Sequence, residues 1–84
     1  MAYYVYMVKC SDDTLYTGIA SDIQRRVEEH NSSKKGAKYT KTRRPVRLVF
    51  SEIFEDRSSA SKREYAIKKL SREEKLHLIA SSQS

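Results

Sequence analysis

The chain has one cysteine, one proline, two glycines and no tryptophan in 84 residues. Cys10 stands alone, so neither an internal disulfide nor a cysteine cage for zinc can form. A basic chain without disulfides suits a reducing cytosol, and a cytoplasmic protein is expected. No apolar run approaches the roughly 20 residues of a membrane span. The start, Met1 to Lys9, is apolar only briefly and lacks a basic lead and a small-residue cleavage site, which argues against a signal peptide. Internal repeats and low-complexity linkers are missing too. One domain over residues 1–80 is therefore expected, with the small polar stretch 81–84 fraying. Acid is absent between Glu29 and Glu52.

Positive charge is abundant. The net charge is +6, which favours an anionic partner such as nucleic acid or an acidic surface. Seven cations fall in the acid-free interval: Lys34, Lys35, Lys38, Lys41, Arg43, Arg44 and Arg47. A charge run is ordinarily a solvated face. One this long and of one sign, with Tyr39 available for stacking, signals a nucleic-acid-binding segment.

Tyr3 to Cys10 is aromatic and β-branched with apolar residues on both parities, the pattern of a central strand covered on both sides. Ser11-Asp12-Asp13 is a turn, and Thr14 to Ile19 a second strand. A three-residue loop would set Val8 opposite Tyr16 and Tyr6 opposite Gly18, with both tyrosines on one face; a two-residue loop would separate them. Gly18 would leave room over the Tyr6 ring. Ser21-x-x-Gln24 fits a capping box opening a helix whose inward stripe is Ile23 and Val27, flanked by Arg26 and His30, with Arg25 facing water.

Gly36 and Pro45 punctuate the polar stretch that follows, and a short helical turn fits Ala37 to Thr42. Val46 to Phe54 forms a third strand, with Leu48, Phe50 and Phe54 on one parity and Val49 and Ile53 on the other. Asp56-Arg57-Ser58 opens a helix over roughly Ser59 to Leu70, turned inward through Ala60, Ile67 and Leu70. Ser71-x-x-Glu74 caps a last helix, packed through Leu76, Ile79 and Ala80. The order β-β-α-β-α-α predicts an α+β domain, a small and mainly antiparallel sheet with helices on both faces.

Tyrosine, arginine, histidine and a carboxylate can together bind a metal, activate water and hold a phosphodiester. Each also has a plain structural role. Tyr6 and Tyr16 are favoured strand residues, and a phenol near a cation can also act as a general base. Arg26 can snorkel beside an apolar stripe or meet a phosphate oxygen. His30 suits a helix C-terminus as a cation. Glu64 pairs in the favourable order with Lys68, and a lone carboxylate also suffices for Mg²⁺ when phosphate and water complete the shell.

Tyr4-Val5-Tyr6, then Tyr16-Thr17-Gly18, then Arg26, His30 and Glu64 resemble the GIY-YIG nuclease superfamily over about Tyr3 to Leu70. The likeness is strongest to its small stand-alone bacterial members. It implies a three-stranded antiparallel sheet flanked by helices and divalent-metal hydrolysis of nucleic-acid phosphodiesters, DNA foremost. It further implies Tyr6 or Tyr16 as general base, Arg26 on the pentacoordinate phosphate, His30 assisting, and Glu64 on one Mg²⁺ or Mn²⁺ ion. Tyr4 replaces the glycine of the first triplet, Thr17 the aliphatic residue of the second, and Ile19 a lysine found in some members. No asparagine follows Glu64, as one does in many catalytic members. Those departures motivate an alternative: a module that binds nucleic acid without cutting it. A third reading is a basic module for an acidic protein. Larger members carry separate domains that choose the target, so specificity here would be low or supplied by a protein partner.

Overall fold

The computed structural model describes residues 2–32 and 35–82. Three strands, β1 (Tyr3–Lys9), β2 (Leu15–Ala20) and β3 (Arg47–Phe54), form one antiparallel sheet in the order β2-β1-β3. Four helices complete the chain: α1 (Ile23–Ser32), α2 (Lys38–Lys41), α3 (Arg57–Lys68) and α4 (Arg72–Ser82). The three-stranded sheet and the β-β-α-β-α-α plan, with α2 as one short added turn, agree with the sequence.

The hairpin closes through the three-residue loop. Cys10 N–H donates to Thr14 O at 2.9 Å, Val8 pairs with Tyr16, and Tyr6 pairs with Gly18. Alternation along the central strand β1 then divides the core. Val5 and Met7 face Phe50, Ala60 and Ile67, all buried, beneath α3 and α4. Val8 faces Cys10 and Val46, with Tyr16 and Val27 against them, beneath α1. Burying a side chain such as Ile67 contributes about 1.5–3 kcal/mol, which is what fastens α3 to the sheet.

Four local expectations are corrected. The cap of α1 is Asp22, whose Oδ1 accepts from Arg25 N–H at 3.1 Å, so the chain enters the helix one residue after Ser21. In β3, Met7 pairs with Phe50 but Val8 pairs with Leu48. That bulge at Val49 switches parity, so Leu48 is not on the face of Phe50 and is 42% exposed. Helix α3 starts earlier, at Arg57, where Asp56 caps it by accepting from Ser59 N–H at 2.7 Å. The last helix docks through Leu78 and Ile79, while Leu76 and Ala80 are exposed. Its capping box forms reciprocally, Ser71 N–H to Glu74 at 3.0 Å and Glu74 N–H to Ser71 Oγ at 3.2 Å. The helix runs to Ser82.

Two side chains tie the acid-free interval to the frame. The Asn31 amide donates to Val46 O at 2.9 Å and accepts from Val46 N–H at 2.6 Å, joining the end of α1 to the start of β3. Arg44 donates to the carbonyls of His30 and Glu29 in the last turns of α1. Gly36 permits this approach: a Cβ there would stand 2.6 Å from Glu29 O and 2.9 Å from His30 Cα.

Thr17 faces the core beside Met7, and its Oγ1 has no hydrogen-bond partner among the described residues. An orphaned buried hydroxyl is costly, and valine has nearly the same shape. Thr17→Val is expected to raise stability by about 1 kcal/mol, several degrees in Tm by calorimetry. A lowered Tm would show that the hydroxyl has a partner.

Candidate active site

On the α1 side of the sheet, Tyr6, Tyr16, Arg26 and His30 come together. Tyr6 is 1% exposed, and the hydroxyl end of its ring lies over Gly18, where a Cβ would be 2.6 Å from the phenol oxygen. Any side chain at Gly18 would push the hydroxyl away. His30 is fully buried, with the Tyr6 ring edge-on at 5.9 Å and the Tyr16 ring at 5.3 Å. The Tyr6 hydroxyl and His30 Nε2 are 2.7 Å apart.

The partners of the other ring nitrogen assign the direction of that bond. Thr40 Oγ1 donates its one proton to Ala37 O at 2.9 Å. It therefore accepts from His30 Nδ1–H at 2.8 Å. Nε2 is then bare, and the Tyr6 hydroxyl donates to it. The Ala37 amide is directed at Nδ1 as well, but at 3.4 Å it is the longest of these contacts, and the shorter pair decides the tautomer. Thr40 is wholly buried and was not singled out from the sequence. A threonine among lysines looks like any surface residue, and only the fold brings it under His30. Asn31 was missed as well, although an asparagine inside a helix is a weak signal of a tertiary role.

The electrostatics follow from burial. Desolvation pushes the Tyr6 phenol up to about 12, against the pull of Arg26. Desolvation and the charge of Arg26 push the His30 imidazole down to about 4. His30 is therefore neutral, unlike the dipole-capping cation of the plain structural reading. Arg26 donates to Glu29 at 3.0 Å and to Lys35 O at 2.8 Å, linking α1 to the basic segment. The Arg26 guanidinium in turn holds the Glu29 carboxyl below the usual range.

Glu64 is placed differently. Its helix α3 packs on the opposite face of the sheet, against Val5 and Met7. Its carboxylate nonetheless raises the Tyr6 phenol, as the smallest of the influences on it, so the two are in electrostatic reach. Glu64 also forms the pair with Lys68 read from the sequence, at 3.4 Å. Among the described residues no group of three or more His, Cys, Asp or Glu could cage an ion. Of the motif residues, Val5 is in the core and Tyr4 is half-buried, paired with Ala20 and Ile53.

The basic segment divides in two. Arg43 donates to Asp12 at 3.0 Å and to Tyr39 O at 2.8 Å, and its guanidinium lies 4.1 Å over the Tyr39 ring. Tyr39 also stacks on Tyr16 at 5.8 Å, so it extends the aromatic column that starts at His30. Arg43 and Arg44 thus hold the loop in place. Lys35, Lys38, Lys41 and Arg47 are exposed, and Lys34 lies outside the described residues.

Residues 2–77 match the model of the GIY-YIG catalytic domain. The chain is 60% identical over 82 residues to the UPF0213 protein DP2720 of Desulfotalea psychrophila, covering 98% of this chain and 74% of that protein. It is 56% identical over 78 residues to the UPF0213 protein SSP2268 of Staphylococcus saprophyticus, covering 93% and 94% respectively. The solution NMR structure of the UPF0213 protein BH0048 from Bacillus halodurans superposes with a TM-score of 0.62 at 44% identity, over 95% of this chain and 84% of that one. That of EF2693 from E. faecalis gives 0.66 at 38% identity, over 100% and 90%. With nearly its whole length matched and the two tyrosines, the arginine and the histidine gathered on one face, the chain belongs to the GIY-YIG family.

Proposed function

We propose that the chain is a metal-dependent nuclease that hydrolyses nucleic-acid phosphodiester bonds, with DNA the foremost substrate. One observation carries this reading: a buried tyrosine whose hydroxyl is bonded to a neutral histidine and lies under the influence of an arginine, in a chain of the GIY-YIG family. The net charge of +6 supports a polyanionic substrate. Among the described residues no helix is long and apolar enough to cross a membrane.

The donor chemistry fits one hard cation. Glu64 offers carboxylate oxygen and its side chain is 25% exposed, so an ion there would take its remaining ligands from water and phosphate oxygens. Glu64 would hold Mg²⁺ or Mn²⁺, which would supply charge neutralisation and Lewis-acid polarisation of the phosphoryl group. The protein side of the reaction is assigned to three residues. Arg26 meets the phosphate oxygens, exchanging Glu29 for the substrate's charge. Tyr6 accepts the proton of the attacking water on its phenol oxygen as it passes its own phenolic proton to His30 Nε2, 2.7 Å away. His30 fixes the Tyr6 hydroxyl and takes that phenolic proton on Nε2, while Nδ1–H stays bonded to Thr40.

Glu64→Ala is expected to abolish nicking of supercoiled plasmid in Mg²⁺ or Mn²⁺ while the circular dichroism spectrum stays unchanged. Cleavage that survives in this variant sinks the proposal. The Glu64–Lys68 pair favours a second reading, in which the carboxylate only supports α3 and the chain binds without cutting. Salt-dependent DNA binding, no turnover in either metal and no effect of Glu64→Ala on affinity would establish that reading instead.

A further inference from the structure

A second concentration of cations lies away from the basic segment. A cleft of about 330 Å³ runs along the end of β2, between α1 and the first turn of α3. Its walls include Tyr3, Asp22, Arg25, Arg26, Glu29 and Arg57. Neither Arg25 nor Arg57 stood out in the sequence, because one faces water on its helix and the other opens a helix thirty-two residues further on.

We propose that this cleft is a subsite for a phosphate flanking the scissile one, held by Arg57 and Arg25; the proposal rests on the nuclease reading. Arg26 is the shared wall. It lines the cleft and also acts on the Tyr6 phenol, so a strand whose phosphate sits on Arg26 continues directly into the cleft. The acids in the wall do not oppose this. Asp22 is committed to capping α1, and Glu29 is paired with both Arg25 at 3.5 Å and Arg26 at 3.0 Å. The Arg25 side chain is 69% exposed, and an ion pair that open is weak enough for a phosphate to replace. Arg57 is exposed and makes no ion pair among the described residues, leaving all its donors for a ligand.

The test compares Arg57→Gln with Lys62→Gln. Both remove one positive charge from α3, but Lys62 is exposed and outside the cleft. Affinity for a fluorescein-labelled 20-base-pair duplex is measured against sodium chloride concentration in EDTA. Arg57→Gln is expected to weaken binding about five- to tenfold and to lower the slope of log K against log salt by about 1. Lys62→Gln is expected to stay within about twofold of the unsubstituted protein with the slope unchanged, as a charge that touches no phosphate should. Equal effects of the two substitutions would reduce the cleft to part of a general positive field and overturn the subsite. So would an Arg57→Gln protein that binds as tightly as the original. Cleavage of plasmid by the unsubstituted protein in either of those cases would leave the nuclease reading standing, whereas absence of both binding and cleavage would remove both.

Discussion

Tyr6→Phe is expected to lower the cleavage rate by about 10²- to 10⁴-fold, the usual contribution of a positioned general base. The phenyl ring fills the same space over Gly18, so the packing of β1 and β2 is retained. What is lost is the oxygen that would take the proton from water, and with it the 2.7 Å bond to His30. His30 Nε2 is left buried without a donor, which costs about 1–3 kcal/mol of stability. The two losses are separable, since thermal unfolding reads the second and single-turnover cleavage of a labelled duplex reads the first. Tyr16→Phe is the comparison. No side-chain hydrogen bond of the Tyr16 hydroxyl is present among the described contacts, and its ring keeps its place between His30 and Tyr39. The reading therefore expects the smaller loss there. A Tyr6→Phe protein that cuts at the original rate, beside a dead Tyr16→Phe protein, would transfer the role of base to Tyr16.

Acid is expected to destabilise the fold through His30. Its imidazole is held at about 4 when folded, against 6.5 when free, so the unfolded chain takes up a proton that the folded one refuses. Stability is therefore independent of this group above pH 6.5 and falls as the pH drops from there to about 4. The loss over that window is on the order of 2–3 kcal/mol, a large share of what holds a domain of this size together. Urea denaturation at a series of pH values measures it. His30→Gln, which keeps polar atoms near Tyr6 and Thr40 but cannot titrate, should lose stability at pH 7.5 and show a flatter profile between pH 6.5 and 4. An unchanged slope in that variant would place the acid sensitivity in the carboxylates, whose own shifts, at Asp12, Glu29, Asp56 and Glu74, are all downward.

Strand pairing was legible because it depends on parity. Period-two alternation leaves two registers for the first hairpin, and the three-residue loop seen in the fold selects the one that sets Tyr6 opposite Gly18 and on the face of Tyr16. Capping was legible where the residues meet locally, as at Ser71 and Glu74, and was misplaced by one residue at Ser21, where Asp22 competes as a cap. The bulge at Val49 carries no sequence signal of its own, so the face of Leu48 could not be read.

By itself the sequence determined the order of strands and helices along the chain, the excess positive charge and the family to which the motif residues point, and it narrowed the first hairpin to two registers. Those depend on near neighbours and on periodicity, which a linear reading contains. Only the tertiary structure decided which charges are free. It assigned Arg43 and Arg44 to bracing the loop, put Thr40 under His30 to set its tautomer, carried Glu64 on a helix across the sheet, and gathered Arg25 and Arg57 beside Arg26. A guanidinium or an imidazole is defined by what it touches, and those contacts span ten to more than thirty residues of chain that only packing brings together.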